Sequence, residues 1–223
     1  MTYDDPQISL LTEDALFLHF SHNCSPELQS RLLALAHALR SEPETAAVLR
    51  DVVPGPGNLT LRLHPDQRMS LKALTARLES LWQTCPTPDQ VTRTLEIAVR
   101  YGGEHGPDLE VVARHCGLDP EQIITLHSQP DYQVMCIGFQ PGFPYLSGLD
   151  SRLFTPRRNT PRTRIPAGSV AIAGEQAGIY PADSPGGWQI IGHTDLRLFD
   201  PMADPPCQLA PGDFIRFVPE DPL

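Results

Sequence analysis

The chain has 223 residues, 40% of them hydrophobic, enough for one large domain or two small ones with buried cores. Its 27 acidic residues outnumber 17 basic ones and leave a formal net charge of -10 at pH 7, the wrong sign for a protein that binds a polyanion such as nucleic acid. The opening "MTYDDPQISLLTEDALFLHF" has no basic stretch before its apolar residues, and no run approaches the roughly 18 apolar residues of a membrane helix, so a cytoplasmic protein with no membrane partner is expected.

Residues 8 to 20 read as a strand. In "SPELQSRLLALAHALRSEP", Ser25 is placed to cap a helix, Pro26 suits its first position, and Leu28, Leu32, Leu35 and Leu39 fall on one face. The runs "AAVLRDVV" and "NLTLRLH" flank "PGPG" and predict an antiparallel hairpin. A second helix begins at Ser70, with Leu71, Leu74, Leu78 and Leu81 on one side, and stops near "TCPTPD". If "RTLEIAVRY", 93 to 101, adds a strand, the first hundred residues form a βαββαβ sandwich of the ferredoxin-like type; the same strand could instead open the next domain.

Two helices follow. "GPDLEVVARHCG" carries Asp108 and Glu110 at the positive end of its dipole and Gly117 as its stop, and "DPEQIITLHS" has Asp119 and Gln122 at capping-box spacing. From the strand "YQVMCIGF" onward, prolines and glycines punctuate short extended pieces such as "GSVAIAG", "GWQIIG" and "DFIRFV", the texture of an all-β sandwich or barrel. The division expected is an α+β domain over 1–91 and a β-barrel domain over 92–223.

Several chemistries find no support. There is no phosphate loop, and the lone lysine, Lys72, falls inside a predicted helix. Neither "AGSVA" nor "ADSPG" is a nucleophile elbow, and His19 and His22 are spaced to face opposite sides of a strand, so no metal is expected. Cys24, Cys85, Cys116, Cys136 and Cys207 are odd in number, widely spaced and without a C-x-x-C pair, which favours reduced core thiols.

Three stretches carry the distinctive residues. "FTPRRNTPRTRIPAGS" sets Arg157, Arg158, Arg162 and Arg164 within eight positions of an acidic chain, and Pro156, Pro161 and Pro166 keep it out of a helix. Guanidinium groups capture carboxylate or phosphate bidentately and can stabilise charge developing on oxygen; a solvated loop bridged to the protein's own acids explains the cluster equally well. "GFQPGFPYLSGL" gathers Phe139, Gly142, Phe143 and Tyr145 in a rigid loop, either a core corner or a pocket wall. "SPGGWQIIGHT" sets Gly186 and Gly187 before Trp188, with His193 one short strand later.

Taken in order, "YGGEHGPDLEVVA", "GFQPGFPYLSGLD", "TPRRNTPRTRIPAGSVAIAG", "YPADSPGGWQIIGHT" and "PGDFIRF" resemble the family of 5-oxoprolinase B subunits, also described as allophanate hydrolase subunit 1 or the KipI family. The resemblance implies a ferredoxin-like N-terminal domain followed by a cyclophilin-like β-barrel. It implies one part of a bacterial assembly that opens 5-oxo-L-proline to L-glutamate with ATP, alongside 5-oxoprolinase subunits A and C, of which the cyclophilin-like C protein is the most direct partner. Relatives act instead as kinase inhibitors or as parts of urea carboxylases.

A lactam is a poor electrophile, and coupling to ATP turns its oxygen into a phosphate leaving group before water attacks. Every species along that route is negative, so fixed arginines and backbone N–H donors are what such a site requires. This chain alone has no ATP-binding motif, no cofactor of its own and no activated nucleophile. The expected site is therefore a composite completed by a partner. Arg157, Arg158, Arg162 and Arg164 would contact anions, Gly142, Phe143, Tyr145, Ser169, Gly186, Gly187 and Trp188 would form walls, and His193 would be the acid or base.

Overall fold

The structure, a computed structural model of the chain, describes residues 6–20, 25–66, 71–84 and 93–220. It divides into two compact units, Met1–Val91 and Thr92–Leu223. Cys24, Cys85, His22 and the helix start at Ser70 lie outside the described residues.

In the first unit, β1 (Gln7–Thr12) and β2 (Ala15–His19) form a tight hairpin in place of the single expected strand, because Glu13 and Asp14 turn the chain. Helix α1 (Pro26–Ser41) starts as anticipated, its Leu28 amide donating to Ser25 Oγ at 3.2 Å, and all four spaced leucines are buried. A single turn, α2 (Pro43–Ala46), leads into β3 (Leu49–Gly55) and β4 (Asn58–Leu63), the predicted hairpin, tightened so that only Pro56 and Gly57 remain outside the strands. Gly57 takes a φ of 69° at that turn. Helix α3 (Leu71–Thr84) buries Leu74, Leu78 and Trp82; Leu81 is only partly covered, because the larger indole takes the core position beside it. The Arg31 guanidinium lies 3.9 Å above the Trp82 ring and donates to the Trp82 carbonyl at 2.6 Å.

The sheet of this unit runs β1-β2-β4-β3, wholly antiparallel. The first expected strand is a hairpin, and the segment 93–101 takes the alternative its sequence left open, a place in the second unit. That segment, β5 (Thr94–Tyr101), pairs in parallel with β13 (Phe214–Pro219) through six successive residue pairs and in antiparallel fashion with β12 (Gln189–His193). Its alternation of Leu95, Ile97 and Val99 fits either sheet, so only the long-range partner decides.

The second unit is a closed seven-stranded barrel in the order β10-β7-β6-β13-β5-β12-β9. The other members are β6 (Tyr132–Ile137), β7 (Pro144–Ser147), β9 (Ser169–Ala173) and β10 (Gln176–Ile179). Helix α4 (Leu109–Cys116) ends at Gly117 in the left-handed conformation, and α5 (Pro120–Ser128) carries the predicted capping box, with the Gln122 amide donating to Asp119 Oδ1 at 2.8 Å and the Asp119 amide to Gln122 Oε1 at 3.0 Å. A short pair, β8 (Arg162–Ile165) with β11 (Ser184–Gly186), stands outside the barrel.

Strand β9 is buried along its whole length because it serves two cores. Val170 and Ile172 join Ile97, Val99, Ile191 and Phe217 in one, while Ala171 and Ala173 join Phe143, Tyr180, Trp188 and Ile190 in another. The strand order thus places an aromatic cluster on the second face of β9 and β12.

His127 sits wholly inside the unit, stacked 4.5 Å from Phe217, its Nδ1 2.8 Å from the Tyr101 hydroxyl. Burial drives its pKa down to about 3, so it stays neutral. An unfolded histidine titrates near 6.5, so the folded state binds fewer protons below that pH, and each unit of acidification from about 6.5 toward 3 removes up to about 1.4 kcal/mol of stability. Denaturant unfolding across this range is expected to show that slope in the native protein and a flatter one in His127→Asn, which keeps an acceptor but does not titrate.

Candidate functional site

The arginine segment is fastened along its length. Thr155 bridges Gly174, the Arg158 amide donates to the Gly187 carbonyl at 2.7 Å, and the Gln189 side-chain amide donates to the Pro156 carbonyl at 3.0 Å. Arg162 opens β8 opposite Gly186 of β11. Two of the expected stretches, the arginine run and the Gly-Gly-Trp turn, therefore form one structure.

The arginines are not equivalent. Arg158 Nη1 lies 2.7 Å from Asp108 Oδ1, while Arg162 grips the same carboxylate with both nitrogens, at 2.7 Å to Oδ2 and 2.8 Å to Oδ1. The Ile190 amide donates to Asp108 Oδ2 at 2.8 Å. Four donors thus fill the carboxylate's acceptor positions, and its side chain is only 2% exposed. Arg164 pairs instead with the exposed Asp183, whose Oδ1 also accepts the Ala167 amide at 2.9 Å.

Arg158 and Arg162 thus converge on one target, a buried acid about fifty positions upstream, and Arg164 pairs with a surface acid, so for these three the reading of a segment bridged to the protein's own acids holds. Arg157 alone of the four has no acidic partner among the described residues. Asp108 was expected to face the dipole of α4; it is the N-cap residue, but its side chain makes no cap bond and turns to the arginines.

Arg157 lines a pocket of about 140 Å³ together with Phe139, Phe143, Tyr145, Tyr180, Trp188 and the paired Gly186 and Gly187. The rings meet edge to face: Phe143 lies 5.5 Å from Trp188 at 89° and 5.2 Å from Tyr180 at 80°. They fit because Gly178 stands between them; a Cβ there would lie 2.8 Å from the Phe143 ring and 3.0 Å from that of Trp188. Burial raises the pKa values of the Tyr145 and Tyr180 hydroxyls, and the charge of Arg157 opposes the shift at both, so both face the pocket as neutral phenols.

Other expected site residues lie elsewhere. Ser169 is buried and donates to the Pro166 carbonyl at 2.7 Å. Gly142, with a φ of 84°, does not line the pocket; a Cβ there would lie 2.8 Å from Phe199 Cβ, so it is needed for the turn and its packing. His193 is also outside the pocket lining: its Nε2 is 2.9 Å from the Ala167 carbonyl, and its Nδ1 is 3.4 Å from an Arg100 nitrogen and 3.6 Å from Asp195 Oδ1. With both nitrogens engaged, it serves to join β12 to the loop before β9. Tyr180 and Asp108 are the residues that sequence reasoning missed. Both fall in distinctive stretches, Asp108 in "YGGEHGPDLEVVA" and Tyr180 in "YPADSPGGWQIIGHT", but nothing local marks either as a neighbour of the arginine segment.

A larger cavity, about 580 Å³, lies among Gly102, Gly106, Leu109 and the acids Glu110, Asp119 and Glu121. Those carboxylates disfavour an anionic ligand, so size does not make it the better candidate. Among the described residues, no group of three or more His, Cys, Asp or Glu side chains gathers to hold a metal ion, and no helix is long and apolar enough to cross a membrane.

Residues 6–209 match the family model described as carboxyltransferase domain, subdomain C and D. The chain is 46% identical over 211 residues to the 5-oxoprolinase B subunit of Escherichia coli O157:H7, covering 95% of this chain and 94% of that protein. The chain belongs to the family of 5-oxoprolinase B subunits. The B subunit from Bacillus subtilis (strain 168) is 37% identical over 222 residues, covering 95% and 92%. Among solved structures, TTHA0988 superimposes with a TM-score of 0.79 at 40% identity over 94% of this chain, which spans 40% of the length of that one.

The buried ion pairs give a stability prediction. Asp108→Ala leaves two partly buried guanidinium groups without their counter-ion and is expected to cost about 3–5 kcal/mol. Arg164→Ala, at a surface pair, is expected to leave the denaturant midpoint within error. Chemical unfolding followed by fluorescence in a Trp82→Phe background, where Trp188 alone reports, distinguishes the two.

Proposed function

We propose that the chain is the B subunit of an ATP-dependent assembly that opens 5-oxo-L-proline to L-glutamate, working with subunits A and C. The observation that carries this reading is Arg157: among the four clustered arginines it is the one without an acidic partner among the described residues, and it lines an aromatic pocket. Curated relatives named as B subunits of 5-oxoprolinase over nearly the whole chain supply the substrate class.

The substrate is a small, flat lactam bearing a carboxylate. An arginine answers the carboxylate, aromatic rings answer the ring, and neutral tyrosine hydroxyls are donors toward oxygen as negative charge develops there. Arg158 and Arg162 then act by holding the segment that presents Arg157, not by touching the anion. The pocket's volume falls below the roughly 300 Å³ at which sites begin to enclose a ligand. That supports a composite site, with ATP and the second wall belonging to a partner protein; the cyclophilin-like character of the barrel and its pairing with the C protein are parts of the same proposal.

The test is reconstitution with the cognate subunits, ATP and 5-oxo-L-proline, with glutamate release as the readout. Turnover is expected to require this chain, and Arg157→Ala to lower kcat/KM by at least 100-fold, about 2.7 kcal/mol of transition-state stabilisation, without dissolving the assembly. Turnover unchanged when the chain is omitted would overturn the proposal.

A further inference from the structure

Phe139 stands out twice. It is the non-glycine residue at positive φ among the described residues, at 64°, while nine glycines supply that conformation elsewhere. It is also 61% exposed, although the rings beside it are shut in: Phe143 and Tyr180 are each 2% exposed and Trp188 5%. A bulky side chain in this backbone region is strained, and an exposed aromatic ring gains little from burial. The flanking Gly138 and Gly142 put glycine within reach of the same loop, yet the ring is kept at 139 against both costs.

The loop is built to hold it. The Gln140 amide donates to the Gly138 carbonyl at 2.7 Å, closing a three-residue turn around Phe139, and the Gly138 amide donates to the Phe143 carbonyl at 3.1 Å. The Phe143 amide returns to the Gln140 carbonyl at 3.1 Å, and the Gln140 side chain reaches the Ala182 carbonyl at 3.4 Å. The ring meets Phe143 at 79° and Tyr180 at 88°, with centroids 5.4 and 6.2 Å apart. The ring nevertheless stays 61% exposed and lines the pocket that contains Arg157, so its surface is open to what enters there.

We propose that Phe139 is a specificity-determining residue whose exposed ring covers a small planar cyclic amide while Arg157 holds that molecule's carboxylate. This rests on the 5-oxoprolinase reading above. Phe143, Tyr180 and Trp188 are each no more than 5% exposed, so among these lining rings Phe139 offers a flat five-membered lactam by far the most open surface. Its binding returns the ring's exposed area to an apolar environment, so the strain held in the loop is offset when substrate is present.

The test uses the reconstituted assembly. Phe139→Gly, which relaxes the backbone and removes the ring, is expected to raise KM for 5-oxo-L-proline at least tenfold. Its kcat should stay within threefold, and the chain's thermal midpoint should not fall. Its preference for the five-membered over the corresponding six-membered lactam carboxylate should narrow, and Phe139→Tyr should restore both values. An unchanged KM with active wild-type assembly overturns this inference alone. A KM rise that tracks a fall in thermal midpoint makes the ring structural, and a weakened assembly with normal KM at saturation makes it a protein contact; either result overturns it. A wild-type assembly that releases no glutamate overturns the functional reading and this one with it.

Discussion

The carboxylate of Asp108 is the constraint on which the rest of the second unit depends. Buried charge is costly unless every acceptor position is filled, and here four donors fill them: one nitrogen of Arg158, two of Arg162 and the backbone amide of Ile190. That single group ties the start of α4, the proline-rich arginine segment and strand β12 to one point. Removing the acid would leave the segment's charges unanswered; removing either arginine would leave the acid underpaired. The arrangement therefore specifies a geometry more than it adds stability, and the geometry it specifies leaves Arg157 lining the pocket.

The pocket depends equally on the barrel. Strands β9 and β12 alternate between two apolar clusters, so the same backbone that closes the barrel supports the ring cluster on its other side. Close contact between Phe143 and Trp188 is allowed by the absence of a side chain at Gly178, and the hydroxyl of Tyr180 is held by the Trp188 backbone. A substitution in the barrel wall would reach the site through packing.

Local patterns in the sequence are legible where local chemistry decides the outcome. The caps at Ser25 and Asp119, the stop at Gly117 and the leucine face of α1 depend on residues within a few positions of each other, and the structure has each. Features that need a distant partner are not legible in this way. The alternation in β5 is equally compatible with either sheet, and a ladder to residues about 120 positions away settles its place. Likewise, the four arginines show their number and spacing, but nothing near them discloses that an acid fifty positions upstream occupies two of them. The walls at Phe143, Gly186 and Trp188 are legible because glycine and aromatic residues crowd together; Tyr180 arrives from a separate strand end, and His193 is chemically plausible in sequence only because its backbone partner is not visible there.

The position of β13 has a consequence for how the protein is made. It lies between β5 and β6, in parallel with the first and antiparallel to the second, so neither of those early strands has its neighbour on that side until residues 214–219 exist. A ribosome that has produced everything up to Gly212 holds an open sheet with two unpaired edges, exposed for the time it takes to add the last strand. The barrel, and with it the wall behind the aromatic pocket, can therefore close only once residues 214–219 are available to both neighbours.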